Sequence, residues 1–132
     1  MTDATPPLAA VRTLYVEDDD VVRELTMEFL EESGLAVIAA GSAGEAIALF
    51  EGADADRPFE LLVTDIGLPD LPGMELARRL ASRAPALRIV FASGYPMPRR
   101  PDGWNGRAAS LDKPIDMAEL AVLLRELGFA AR

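Results

Sequence analysis

The chain has 132 residues, half of them hydrophobic, and a net charge of −9, which suits one acidic globular domain and argues against nucleic-acid or anionic-lipid partners. It contains no cysteine and no histidine, so disulfides and thiolate or imidazole metal ligands are excluded, and any chemistry must use carboxylates, hydroxyls, lysine or a bound ion. No segment approaches the ~18 apolar residues of a membrane span, and the N-terminus lacks the basic start and apolar run of a secretory signal, so a cytoplasmic protein is expected.

Residues 1–10, with Pro6 and Pro7 among small residues, read as a flexible leader, and 11–132 as the domain. The apolar run Leu14-Tyr15-Val16 predicts a strand closed by Glu17-Asp18-Asp19. Asp19 and Asp20 read as N-cap and first-turn acids of a helix carrying Val22, Leu25, Phe29 and Leu30 on one face, with Gly34 as its stop. Most other acids before Glu32 read as its solvated side. A strand over 36–40 precedes a helix opened by Ser42, with Glu45 three residues on as a capping box.

After a loop containing Pro58, the run Leu61-Leu62-Val63-Thr64 predicts a strand that ends in Asp65. A turn rich in glycine and proline, Gly67 to Gly73, leads into a helix over 74–84 that points Leu76, Ala77 and Leu80 inward and ends at Pro85. Leu87 to Ala92 is the most strand-like run, with Ser93 at its end. From Tyr95 to Arg107, Pro96, Pro98, Pro101, Gly103 and Gly106 argue against a regular helix. A weak strand, Ala108 to Leu111, precedes Lys113-Pro114 and a last helix, with Asp116 and Glu119 as capping box, Leu120, Leu123, Leu124 and Leu127 as buried stripe, and Gly128 as end.

Five strands alternating with four helices predict an α/β fold, a doubly wound parallel sheet with helices on both faces. In the flavodoxin-like strand order 2-1-3-4-5, ligands bind beyond the carboxyl ends of the strands at the switch point between the first and third. Those strands end at Glu17-Asp18 and at Asp65. Carboxylates gathered in an apolar setting repel each other unless a cation joins them, and an oxygen-only donor set suits Mg2+. Ser93 and Lys113 add a hydroxyl and an ammonium. A carboxylate can be the covalent nucleophile of phosphoryl transfer, a reaction that needs positioning and charge neutralisation more than a strong base.

Four elements at strand ends, Val16-Glu17-Asp18-Asp19, Thr64-Asp65-Ile66-Gly67-Leu68-Pro69, Phe91-Ala92-Ser93-Gly94 and Asp112-Lys113-Pro114, resemble those of the receiver domain of two-component response regulators over about Arg12 to Gly128. The resemblance implies that Asp65 accepts a phosphoryl group from a sensor histidine kinase or a histidine phosphotransfer protein. It implies Mg2+ held by Asp18, Asp65 and the carbonyl of Gly67, with Glu17 reaching the ion through water. Ser93 and Lys113 would contact the phosphoryl oxygens, and Lys113-Pro114 would be a cis peptide bond. Only self-phosphorylation and autodephosphorylation are expected, with no further enzyme activity, no residues to spare for an output module, and signalling to an unknown downstream protein.

The chain also departs from the family. Ser110 stands where receivers generally carry the aromatic that swings on phosphorylation, and segment 95–107 occupies the place of the fourth helix, which is expected to be degraded or replaced by a loop. With Phe91-Ala92-Ser93-Gly94-Tyr95, this resembles a branch of stand-alone receivers bearing a Phe-Ala-Thr-Gly-aromatic motif. Tyr95 and its loop are expected to respond in place of the missing aromatic, and Arg99, Arg100, Trp104 and Arg107 to form a partner-binding patch. Three alternatives stand beside this reading: a phosphate sink or relay carrier without an output target, a flavodoxin-like small-ligand module, and a metal-dependent phosphatase. The ligand module lacks a glycine-rich phosphate loop, and the phosphatase lacks a second acid at Gly67.

Overall fold

All five expected strands form, and all pair in parallel, in a computed structural model that describes residues 11–129. They are β1 (Arg12–Val16), β2 (Ala36–Ala40), β3 (Leu61–Asp65), β4 (Arg88–Ser93) and β5 (Ala108–Asp112), in the order β2-β1-β3-β4-β5. Helices α1 (Asp20–Glu32), α2 (Ala43–Glu51) and α3 (Gly73–Arg83) make the first three crossovers, β4 reaches β5 through an irregular loop, and α4 (Met117–Glu126) follows β5. The leader expected over 1–10 lies outside the described residues.

Successive strand side chains point to opposite faces, so each inner strand supplies two cores. Leu14, Val16, Leu62, Ile89 and Phe91 meet Ala46 of α2 and Leu76, Ala77 and Leu80 of α3. Tyr15, Leu61, Val63, Val90 and Ala92 meet Leu30 of α1 and Leu120, Leu123 and Leu124 of α4. Burial of each such leucine stabilises the fold by about 1.5–3 kcal/mol before chain entropy is counted.

The helix starts follow the sequence signals. Asp19 accepts from the Val22 amide at 2.9 Å, Ser42 from Glu45 at 3.1 Å, and Asp116 from Glu119 at 3.0 Å. The Glu45 carboxylate reaches back to the Gly41 amide at 2.6 Å, one residue before the N-cap.

Two expectations are corrected. Of the apolar face predicted for α1 only Leu30 is buried, while Val22, Leu25 and Phe29 are 36%, 61% and 39% exposed. They line an open groove of about 620 Å³ with Tyr15, Pro114 and Ile115. Helical period identifies a face but not what covers it. The arginine and tryptophan patch does not form as expected either. Trp104 is 4% exposed and packs edge-on against Phe91 at 5.8 Å between ring centres, because so large an apolar ring gains most from burial. Arg107 donates to the Pro85 carbonyl, while Arg99 and Arg100 pair with Glu119 and Glu126 of α4.

The segment after β4 has no helix, as its prolines and glycines imply. Asn105 and Gly106 turn the chain with positive φ of 52° and 77°. Ser110 anchors the loop from β5, its amide donating to the Arg99 carbonyl at 3.0 Å and its hydroxyl to the Pro98 carbonyl at 2.7 Å.

Candidate functional site

Strand register sets the site. Val16 of β1 lies opposite Thr64 of β3, Asp65 opposite Ala92 of β4, and Ser93 opposite Asp112 of β5. Backbone pairing runs one residue further at two points. The Glu17 amide donates to the Ala40 carbonyl at 3.1 Å, and the Lys113 amide to the Ser93 carbonyl at 2.8 Å. The residues expected at the strand ends therefore stand at one edge of the sheet.

Glu17, Asp18 and Asp65 each offer a carboxylate oxygen, and these oxygens lie within 4.8 Å of one another. Lys113 Nζ stands 2.6 Å from Glu17 Oε1 and 3.1 Å from Asp65 Oδ2. The second Glu17 oxygen accepts from the Asp19 amide at 3.1 Å, and Asp65 Oδ1 accepts from the Gly67 amide at 3.3 Å. Glu17 is buried, Asp65 partly so, and Asp18 exposed. Three carboxylates against one ammonium leave an excess of two negative charges, so the donor set fits a hard divalent ion in both charge and ligand type.

Burial works to lower the pKa of Lys113, but its hydrogen bonds to Glu17 and Asp65 outweigh that, and the net shift is upward. The ammonium is thus held charged. Beneath it, burial pushes the Tyr15 phenol up to about 12, against a smaller lowering by a hydrogen bond with Thr26. The peptide bond Lys113-Pro114 is cis, as the resemblance implied.

Ser93 is buried at the end of β4, and its hydroxyl is engaged with the next turn. It donates to the Tyr95 carbonyl at 2.8 Å and accepts from the Tyr95 amide at 3.0 Å. The Tyr95 side chain is 82% exposed. Glu17, Asp18, Asp65 and Lys113 thus converge, Gly67 joins through its amide, and Ser93 faces Tyr95.

Three further residues shape this edge, and of them only Gly73, in the glycine- and proline-rich turn, carried a signal in the sequence. Arg23 donates to the Glu17 carbonyl at 2.9 Å and to Asp20 at 2.6 Å, tying the acidic turn to α1. A Cβ on Gly73 would fall 2.0 Å from the Asp65 carbonyl oxygen, so only glycine lets α3 start this close to the end of β3. Asp70 accepts from the amides of Ala43 and Gly44 at 3.1 and 2.9 Å, across 27 and 26 residues of chain.

Comparison with known proteins bears on this geometry. The family described as response regulator receiver domain matches residues 13–125. Response regulator receiver protein CpdR of Brucella abortus is 33% identical over 91% of this chain and 98% of its own length. Sensor kinase CckA of the same organism is 30% identical over 94% of this chain, which spans only 13% of that protein. Among solved structures, a CheY-like receiver domain protein from Methanospirillum hungatei superposes with a TM-score of 0.72 at 30% identity, covering 88% of this chain and 91% of its own. Response regulator TrrA of Thermotoga maritima, solved in complex with Mg(2+)-BeF, gives 0.73 at 26% identity over 89% and 98% of the two chains. Among the described residues, no helix is long and apolar enough to cross a membrane.

Proposed function

The chain belongs to the response regulator receiver family, and from that premise we propose that Asp65 accepts a phosphoryl group from the phosphohistidine of a sensor histidine kinase or histidine phosphotransfer protein. The observation that carries this is the convergence of Glu17, Asp18 and Asp65 at the switch point of the sheet, with Lys113 bridging Glu17 and Asp65.

In this reading an Asp65 carboxylate oxygen bonds to phosphorus as the P–N bond breaks. The electron pair leaves with the imidazole nitrogen, which takes up a proton. Attack of water on phosphorus later breaks the P–O bond, releases inorganic phosphate and regenerates the carboxylate. Glu17, Asp18, Asp65 and the carbonyl of Gly67 would hold Mg2+, which when bound neutralises charge on the phosphoryl oxygens. Lys113 holds a compact positive charge beside Asp65 and follows the transferred group. Ser93 turns its hydroxyl from the Tyr95 carbonyl to a phosphoryl oxygen.

That exchange supplies a route to output. Releasing the Tyr95 carbonyl loosens the start of the loop that fills the place of a fourth helix. Charge-assisted hydrogen bonds contribute about 1.5–3 kcal/mol each, whereas driving a balance from 1:99 to 99:1 takes about 5.5 kcal/mol. Ser93 gives up its bond to the Tyr95 carbonyl and Lys113 already pairs with Glu17 and Asp65, so the net gain is smaller than that sum and shifts only a nearly balanced loop, whose changed surface then contacts a protein partner.

The test is incubation with a small acyl phosphate donor and Mg2+, followed by intact mass. The parent is expected to gain one phosphoryl group and Asp65→Asn none. Equal labelling of both would remove Asp65 from its role.

A further inference from the structure

We propose that Asp70 is a positioning residue for this site, clamping the loop after β3 onto the first turn of α2. The inference rests on the receiver reading above and extends it to a residue that touches none of the reacting groups.

The clamp has two arms. Asp70 Oδ1 accepts from the Ala43 amide at 3.1 Å, and Oδ2 from the Gly44 amide at 2.9 Å. These are the first two helical amides of α2, which have no partner within the helix. The third, Glu45, is served by the Ser42 side chain. Asp70 thus completes a helix end begun by a local cap, and the two amide hydrogen bonds hold its carboxyl below the usual carboxylate range.

What the clamp holds is the segment that carries Gly67. The loop is pinned at its ends by the Gly73 amide donating to the Ile66 carbonyl at 2.8 Å, and Leu68 is buried. Gly67 itself has open space around its Cα, since a Cβ there would meet nothing within 4 Å. Its amide is held by Asp65 Oδ1 at 3.3 Å, so its carbonyl direction answers to that bond on one side and to the clamped Asp70 on the other.

The far end of the clamp is also tied to the site. Three residues before Ala43, the Ala40 carbonyl accepts from the Glu17 amide. The start of α2 is thus a common reference for the two segments that bring Glu17 and Gly67 together, one reaching it through Ala40 and the other through Asp70.

The experiment compares the full-length parent with Asp70→Ala, Asp70→Asn and Ser42→Ala, using calorimetric titration with Mg2+, amide exchange over residues 66–71, and thermal unfolding. Loss of outer supports typically weakens metal sites by 10–100-fold, and roughly tenfold is expected for Asp70→Ala, together with faster exchange in the loop. Asp70→Asn keeps one acceptor oxygen and should fall between. Ser42→Ala removes a cap from the same helix without touching the loop, so it should lower thermal stability and leave Mg2+ affinity alone. If Asp70→Ala behaves like Ser42→Ala, with unchanged affinity and loop exchange, Asp70 is a helix cap only and the proposal is overturned. A parent that binds no Mg2+ overturns the receiver chemistry of the site and this proposal together.

Discussion

Lys113 and Glu17, 96 residues apart, meet at 2.6 Å where β5 and β1 end, and the same ammonium reaches Asp65 at the end of β3. One cation thus closes an acidic cluster that would otherwise open under its own repulsion.

Lys113→Met removes that closure while Glu17 stays buried. The variant should lose about 1–3 kcal/mol in metal-free urea unfolding, the usual cost of a buried acceptor left without its donor. The deficit should narrow when Mg2+ is added, since Glu17 then has another cation nearby. Identical unfolding midpoints for parent and variant would show that the pair contributes nothing.

Gly73→Ala puts a methyl where the Asp65 carbonyl oxygen lies, 2.0 Å away. Backbone on both sides leaves no flexible tip to yield. Destabilisation of about 1–3 kcal/mol or more is expected, with Asp65 amide and carbonyl shifts visible by NMR. Full stability with an unmoved Asp65 signal would contradict the close approach.

Tyr15 gives the protein an alkaline limit. Its phenol rises from 10.0 to about 12 on folding, so between those values the unfolded chain has lost a proton that the folded chain retains. Stability is accordingly present below pH 10 and falls as pH climbs toward 12, by roughly 2–3 kcal/mol in all. Tyr15→Phe has no such proton to lose, and its unfolding free energy should decline less across that window. Parallel pH profiles for the two proteins would rule this out.

Ser110 holds the loop where receivers generally place an aromatic. Ser110→Ala frees the Pro98 carbonyl and should cost about 0.5–1.5 kcal/mol, with faster amide exchange at Met97, Arg99 and Arg100. Unchanged exchange there would mean that the Pro98 contact does not restrain the loop.

Trp104, the sole tryptophan, lies in that loop against Phe91 and reports on it directly. Binding of a beryllofluoride phosphoryl mimic with Mg2+ should change its fluorescence in the parent and leave Asp65→Asn unaffected. A flat response in a parent shown by mass to take up phosphoryl groups would separate phosphorylation from loop movement.

Much of this protein is written locally. Strands of period two, helices of period 3.6, and acid or hydroxyl caps three residues ahead of a served amide are short-range patterns, and β2, α2 and α4 begin where those patterns place them. The acids after β1, the acid that ends β3 and the lysine after β5 were legible for the same reason, because a parallel sheet puts all carboxyl ends of its strands at one edge. Tertiary structure decided the rest. It left Val22, Leu25 and Phe29 of α1 lining an open groove, drew Trp104 into the core, aimed Ser110 at Pro98 and set Asp70 on the amides of α2. Each of these depends on what stands opposite a residue after distant segments have packed, and no local spacing encodes that neighbour.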